Sequence, residues 1–157
     1  DMPLLVGRYI NKIDRKGRVS VPKPFRDALQ PSNGGFAGVY AYPLFKDAAV
    51  EACDEDYMTR VAESVDDLNM FSRDQDELAM VLLESAHQLP FDPEGRVVLP
   101  ADLIACAGID GAALFVGRGR RFQIWNPGTY QESRREVVER IKAGGPTLKL
   151  RPQGHER

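Results

Sequence analysis

Asp14-Arg15-Lys16-Gly17-Arg18-Val19-Ser20-Val21-Pro22 returns as Asp92-Pro93-Glu94-Gly95-Arg96-Val97-Val98-Leu99-Pro100, 78 positions later and in the same order. Each copy runs into a short helical stretch, Phe25-Arg26-Asp27-Ala28-Leu29 after the first and Leu103-Ile104-Ala105-Cys106-Ala107 after the second. A chain that carries one supersecondary unit twice packs the two copies against each other, so the repeat decides the architecture. Within each copy, Asp14 or Asp92 can accept from backbone N–H groups and Gly17 or Gly95 can take positive φ, which together predict a hairpin turn. In both copies an arginine directly follows the turn glycine.

Working outward, Leu5 to Ile13 reads as an opening strand and Val19 to Val21 as the next, stopped by Pro22. Pro22-Lys23-Pro24 opens a short helix to Leu29, since proline is tolerated in a first turn. A loop over residues 30–35 leads to a strand or strand pair from Phe36 to Tyr42. Val50, Cys53, Tyr57, Val61 and Val65 recur at three- and four-residue spacing and predict an acidic helix with an apolar stripe. Asn69-Met70-Phe71-Ser72 interrupts it. Ser72 is a candidate N-cap for a second helix carrying Leu78, Val81, Leu82, Leu83 and Ala86. The second copy then supplies strands at 87–91 and 97–99, a helix over 102–107 ending at Gly108, and strands at 112–116 and 121–125. A terminal helix spans 128–143, with Tyr130, Val137, Val138 and Ile141 on one face. The Gly/Pro/basic stretch from Gly144 is expected to be a disordered tail.

The 157 residues carry a net charge of −2, but the charge is unevenly placed. Residues 1–30 hold seven basic and three acidic side chains, residues 46–94 three and fourteen, and residues 95–157 eleven and six. Both repeat-bearing segments are therefore basic and the spacer strongly acidic, an asymmetry suited to an anionic partner. The acidic segment reads most simply as a solvated helical face. No window is long and apolar enough to span a membrane, and Met2-Pro3-Leu4-Leu5-Val6 meets Arg8 too soon for a signal peptide, so a cytoplasmic location is expected. Cys53 and Cys106 have no CxxC partner, and His87 and His155 stand alone, so reduced thiols on apolar helix faces are expected and no metal site. GxSxG, Walker A, GxGxxG and HExxH are all missing, so no catalytic residue, cofactor or small-molecule substrate is expected.

The doubled Asp-x-x-Gly-Arg-Val-x-(Val/Leu)-Pro unit, the helical spacer, and Phe122-Gln123-Ile124-Trp125 before a terminal helix resemble the MraZ family over roughly residues 5–142. The resemblance implies an α+β fold of tandem AbrB-like half-units that form one pseudo-symmetric swapped-hairpin barrel with outer helices. Its parts would be a first half at 5–45, a helical spacer at 46–86, a second half at 87–126, a C-terminal helix at 127–143 and the tail at 144–157. It also implies a sequence-specific transcriptional regulator associated with the nucleoid. Such a regulator would assemble as a homo-oligomeric ring and repress its own operon, a cluster of division and cell-wall genes, by binding direct repeats in double-stranded promoter DNA upstream of it.

The residues themselves support this. Arg8, Lys12, Arg15, Lys16 and Arg18 lie on or beside one hairpin, and a strand pair joined by a tight turn is narrow enough to enter the major groove. The bland alternative is solvated loop charge, with Asp14 and Arg18 simply paired. In the second copy Pro93 and Glu94 replace Arg15 and Lys16, so Glu94 would repel phosphate. That leaves Arg96 as a DNA contact or as a structural member of its turn. Arg118, Arg120 and Arg121 read as solvated or subunit-facing. The rival functions are a ring-forming scaffold that binds protein through its acidic helices and, more remotely, an enzyme on a related double-psi barrel.

Overall fold

In the computed structural model, which describes residues 3–31 and 34–154, each repeat contributes four strands and a short helix. The first supplies β1 (Arg8–Lys12), β2 (Arg18–Ser20), α1 (Lys23–Ala28), β3 (Gly38–Pro43) and β4 (Ala49–Cys53). The second supplies β5 (His87–Pro90), β6 (Arg96–Val98), α4 (Ala101–Ala107), β7 (Ala112–Gly117) and β8 (Arg121–Trp125). Between them lie α2 (Glu55–Asp66) and α3 (Arg73–Leu78), the latter running into a π-helical segment, Ala79–Glu84; α5 (Pro127–Lys142) closes the chain. Ser32 and Asn33 of the expected loop, and His155 with the last residues of the expected tail, lie outside the described residues.

The fold is α+β, with one six-stranded antiparallel sheet in the order β1-β7-β8-β4-β3-β5. This order reads the same from either end if each strand of one repeat is exchanged for its counterpart in the other. The first strand of each repeat therefore pairs with the other repeat's third: β1 with β7 and β5 with β3. Neither repeat closes its own sheet, because a unit of about 40 residues cannot bury enough apolar surface alone. The remaining strands, β2 and β6, form a separate two-stranded ladder centred on Val19 and Val97, residues at the same place in the two copies. Among the described residues no closed barrel forms, in contrast to the barrel expected from the resemblance: β1 and β5 are the outer strands of the sheet.

Alternation along the strands sends side chains to two covered faces. On one face Val39, Ala41, Val50, Ala52, Phe115, Phe122 and Ile124 pack against Val19, Val21 and Phe25 of the first repeat and Val97, Leu99 and Leu103 of the second. On the other, Tyr130 of α5 packs on Leu114, Val116 and Trp125. At the far end of that face Met58 of α2 packs on Tyr42 and Cys53. The ladder and short helices thus cover one face, and the long helices the other.

Two expectations need correction here. Val50 and Cys53 do not belong to a helical stripe; they sit on β4, in the middle of the sheet, and the helix begins only at Glu55. Every residue of β4 is buried, so its apolar run lacks the alternation that marks a half-exposed strand. Cys53 is consequently a sheet residue whose thiol burial pushes up to about 12, which makes it inert at neutral pH. The break at 69–72 is present: the Ser72 hydroxyl accepts from the Gln75 backbone at 3.1 Å and caps α3. Gly108 ends α4 at φ 59°.

Candidate nucleic-acid interface

The two turns are built by the same bonds. Asp14 Oδ1 accepts from the backbone N–H of Lys16 and of Arg18, both at 2.9 Å, and Oδ2 accepts from Arg18 Nε at 2.6 Å. Asp92 Oδ1 accepts from Glu94 and Arg96 at 2.9 and 2.8 Å, and Oδ2 from Arg96 Nε at 2.8 Å. Each aspartate also receives the turn glycine on its carbonyl at 3.0 Å. The carboxyls of Asp14 and Asp92 are held below the usual carboxylate range, chiefly by the arginine backbone N–H that each accepts and then by the guanidinium. One aspartate thus closes the turn and fixes the arginine that follows it. That is why Asp, Gly and Arg occur at these offsets.

The glycines dock each turn on the other repeat. Gly17 has φ 85° and its carbonyl accepts from Leu99 N–H at 2.8 Å; Gly95 has φ 79° and accepts from Val21 N–H at 3.1 Å. A Cβ on Gly17 would lie 2.8 Å from the Leu99 carbonyl oxygen, and one on Gly95 would lie 2.6 Å from the Arg26 guanidinium. Arg26 is in turn anchored by Nε to the Val21 carbonyl at 2.9 Å. Each turn therefore sits at one end of the β2–β6 ladder, beside a strand from the other copy.

Pairing within the ladder creates a surface that neither repeat has alone. Val19 and Val97 point inward, so Arg18 and Ser20 on β2, and Arg96 and Val98 on β6, point out. The register places Arg18 opposite Val98 and Ser20 opposite Arg96, so the two arginines occupy diagonal corners of one exposed ribbon. Asp14 of the first turn adds to the raised pKa of Arg96, after Asp92 and Glu94.

The site residues expected from sequence separate into three groups. Arg15 and Lys16 stand at the first turn and Lys12 at the end of β1, and among the described residues none of them has an ion-pair partner. Arg18 and Arg96 face the ribbon surface. Arg18 is tied to Asp14 through Nε, whereas Arg96 is also held by Glu94 at its Nη2, 2.6 Å away. Arg8 lies at the opposite end of β1 from the turn, about 13 Å along the strand, where it lines a groove with Ile10 and α5.

Among the other residues noted in the sequence, Arg121 and His87 have partners the sequence does not show. Arg121 is not a free surface charge, for its Nε donates to buried Glu51 at 3.0 Å while its side chain stays about a third exposed. Glu51 also accepts from Tyr42 and Gln123, and Gln123 from Trp125, a network at the centre of the sheet that leaves Tyr42 with a strongly raised pKa through burial and its bond to Glu51. Arg118 and Arg120 lie over the rings of Tyr130 and Tyr57, at 5.9 and 5.8 Å. His87 is not alone: Nε2 lies 2.8 Å from Asp102, whose carboxyl the imidazole holds below the usual range. Ser20 and Val98 carry no signal of a site in the sequence, because only cross-repeat pairing brings them beside the arginines. Among the described residues no group of three or more ligating side chains is placed to hold a metal, and no helix is long and apolar enough to cross a membrane.

Known proteins match this chain over most of its length. It is 38% identical to the transcriptional regulator MraZ of Pelagibacter ubique over 146 residues, covering 93% of each chain. It is 42% identical to that of Parvibaculum lavamentivorans over 154 residues, covering 94% of each. The match to that of Rhodospirillum rubrum is 43% over 135 residues, 85% of this chain and 86% of the relative. Residues 82–143, which hold the second turn, β6 to β8 and α5, match the family described as "MraZ protein, putative antitoxin-like". With relatives 38–43% identical to it over 85–94% of its length, the chain belongs to the MraZ family.

Proposed function

We propose that the chain is a sequence-specific DNA-binding transcriptional regulator and that the β2–β6 ribbon with the first turn is its DNA-reading element. The single observation that carries this reading is the exposed antiparallel ribbon with Arg18 and Arg96 at diagonal corners and the unpaired cations Arg15 and Lys16 at one end. Two strands lie about 4.8 Å apart, well within a major groove about 12 Å wide, where arginine pairs bidentately with guanine. In this reading Arg18 reads a base edge through its terminal nitrogens while Asp14 fixes its Nε, and Lys12, Arg15 and Lys16 meet phosphate. Arg96, tied at two points, steadies the ribbon and offers a weaker contact. Arg8 belongs to the groove beside α5 rather than to the DNA face. The acidic α2 and α3 lie across the sheet from the ribbon, away from the phosphates.

The exchange of strands between repeats supports reading each half as an AbrB-like unit. One ribbon offers few base contacts, so useful affinity requires several subunits on one operator. The resemblance supplies a ring, with direct repeats upstream of the chain's own operon of division and cell-wall genes as its target. Names of relatives support the regulatory role. A footprint on that upstream DNA, combined with a salt titration, tests the reading. Protection should repeat about every 10 base pairs, one helical turn, and log affinity should fall against log salt by about 0.9 for each phosphate neutralised. Affinity indifferent to salt, or full affinity after one repeat is shifted by half a turn, would overturn it.

A further inference from the structure

The two long helices start from matching places and end in different company. Asp54 caps α2 directly after β4, and Asn126 caps α5 directly after β8. Four residues beyond each cap, Met58 and Tyr130 are both buried on the sheet. Eleven residues beyond each cap the equivalence fails, since Val65 is 5% exposed and Val137 is 38% exposed. After α2 the chain folds back as α3 and the π-helical segment, bringing Leu82 and Leu83 against that end of the sheet. After α5 it leaves through Gly144-Gly145-Pro146, and among the described residues no second helix covers the equivalent surface. The result is an open groove of about 660 Å³ between α5 and β1, with Ile10, Leu114, Tyr130 and Val138 in its lining and three cations, Arg8, Arg134 and Arg135, against one acid, Glu139.

The α2–α3 corner is the opposite in shape and charge. Met70 and Phe71 project from it, and Phe71 is 94% exposed. Phe71 also holds φ 64°, a conformation that costs an aromatic residue energy and persists only where its surroundings enforce it. Here they do: Ser72 caps α3, and the Gln75 side-chain amide lies 3.3–3.4 Å from the carbonyls of Val65, Asp66 and Leu68 at the end of α2. Asp66, Asp67, Asp74 and Asp76 surround this apolar knuckle in sequence, with Arg73 the one cation among them. It is therefore a preformed apolar knob set among carboxylates.

We propose that the Met70–Phe71 knob of one subunit seats in the α5–β1 groove of the next, a head-to-tail contact between copies of this chain that rests on the multi-subunit reading above. Knob and groove occupy opposite ends of the same sheet face, so each subunit can use both at once. A contact between unlike surfaces propagates from copy to copy and closes when the rotation permits. Carboxylates around the knob meet arginines along the groove, which sets the direction of docking. The chain's own tail is the wrong occupant, because Leu148 and Leu150 are interleaved with Lys149 and Arg151, cations that Arg8 and Arg134 would repel.

Sedimentation velocity at micromolar concentration tests this with Phe71→Glu and Ile10→Glu, both at exposed positions, after circular dichroism has shown native melts. The wild-type chain should sediment as a multi-subunit species and each variant as a monomer. An equimolar mixture of the two variants should give a 1:1 dimer, because one intact knob then meets one intact groove and no further contact can form. Variants that keep the wild-type mass, a mixture that stays monomeric, or assembly lost only on removing residues 144–157 would overturn the proposed contact while leaving the multi-subunit reading in place. A monomeric wild-type chain would overturn both.

Discussion

The turn at Asp14–Arg18 and the turn at Asp92–Arg96 share one backbone design and carry different chemistry. In each, an aspartate accepts two backbone N–H groups and the arginine Nε, and a positive-φ glycine leans on the other repeat. The first turn adds Arg15 and Lys16, with Arg18 held at one point. The second has Pro93 and Glu94, with Arg96 held at two. Keeping the frame while changing the tip leaves Arg15 and Lys16 without an ion-pair partner among the described residues, whereas Glu94 pairs with Arg96. The pair therefore shows which residues build the turn and which do not take part in it.

The sharpest way to break the comparison is to truncate each arginine. Arg18→Ala should weaken operator binding by about 1–3 kcal/mol per engaged subunit, compounded across subunits, with the melting temperature little changed. Arg96→Ala removes two ion pairs and should instead lower the melting temperature, with a smaller loss of affinity. Gel-shift titrations beside thermal melts separate the two. Equal losses of affinity would mean that the turns are not divided as proposed.

A conversion sharpens the comparison further. Pro93→Arg with Glu94→Lys gives the second turn the first turn's cations and frees Arg96 Nη2. Affinity should rise, and the slope of log affinity against log salt should steepen by about 0.9 for each phosphate gained. An unchanged slope would show that the second turn never faces DNA.

The smallest effect concerns the frame. Alanine at either turn glycine meets a positive φ that costs about 1–3 kcal/mol. The obstacle then differs: a backbone carbonyl at Gly17, the end of the Arg26 side chain at Gly95. Gly17→Ala should therefore lower the melting temperature more than Gly95→Ala. Differential scanning calorimetry that found the reverse would mean that Arg26, bonded to Val21, is too rigid to move.

Much of this molecule is legible in its sequence, because it is local. The repeat fixes both turns, the asymmetry between Lys16 and Glu94, the proline-led short helices and the caps at Ser72 and Gly108, each decided by residues within a few positions of one another. Charge segregation likewise survives any folding. Residues 49–53 mimic a helical stripe because a strand buried on both sides carries no alternation, and Glu51 looks like a surface residue until Tyr42, Arg121 and Gln123 are brought to it.

What only the tertiary structure decided depends on pairing between residues far apart in sequence. The exchange of β1 and β5 between repeats, the open sheet in place of a barrel, and the diagonal placement of Arg18 and Arg96 all come from register, which burial of the whole sheet selects. The sequence shows two arginines 78 residues apart; that they share one ribbon follows from Val19 and Val97 both needing cover from the same core. The uncovered row on α5 is a tertiary fact of the same kind. Its apolar spacing is legible, but an apolar spacing is the same whether or not another helix folds back to cover it.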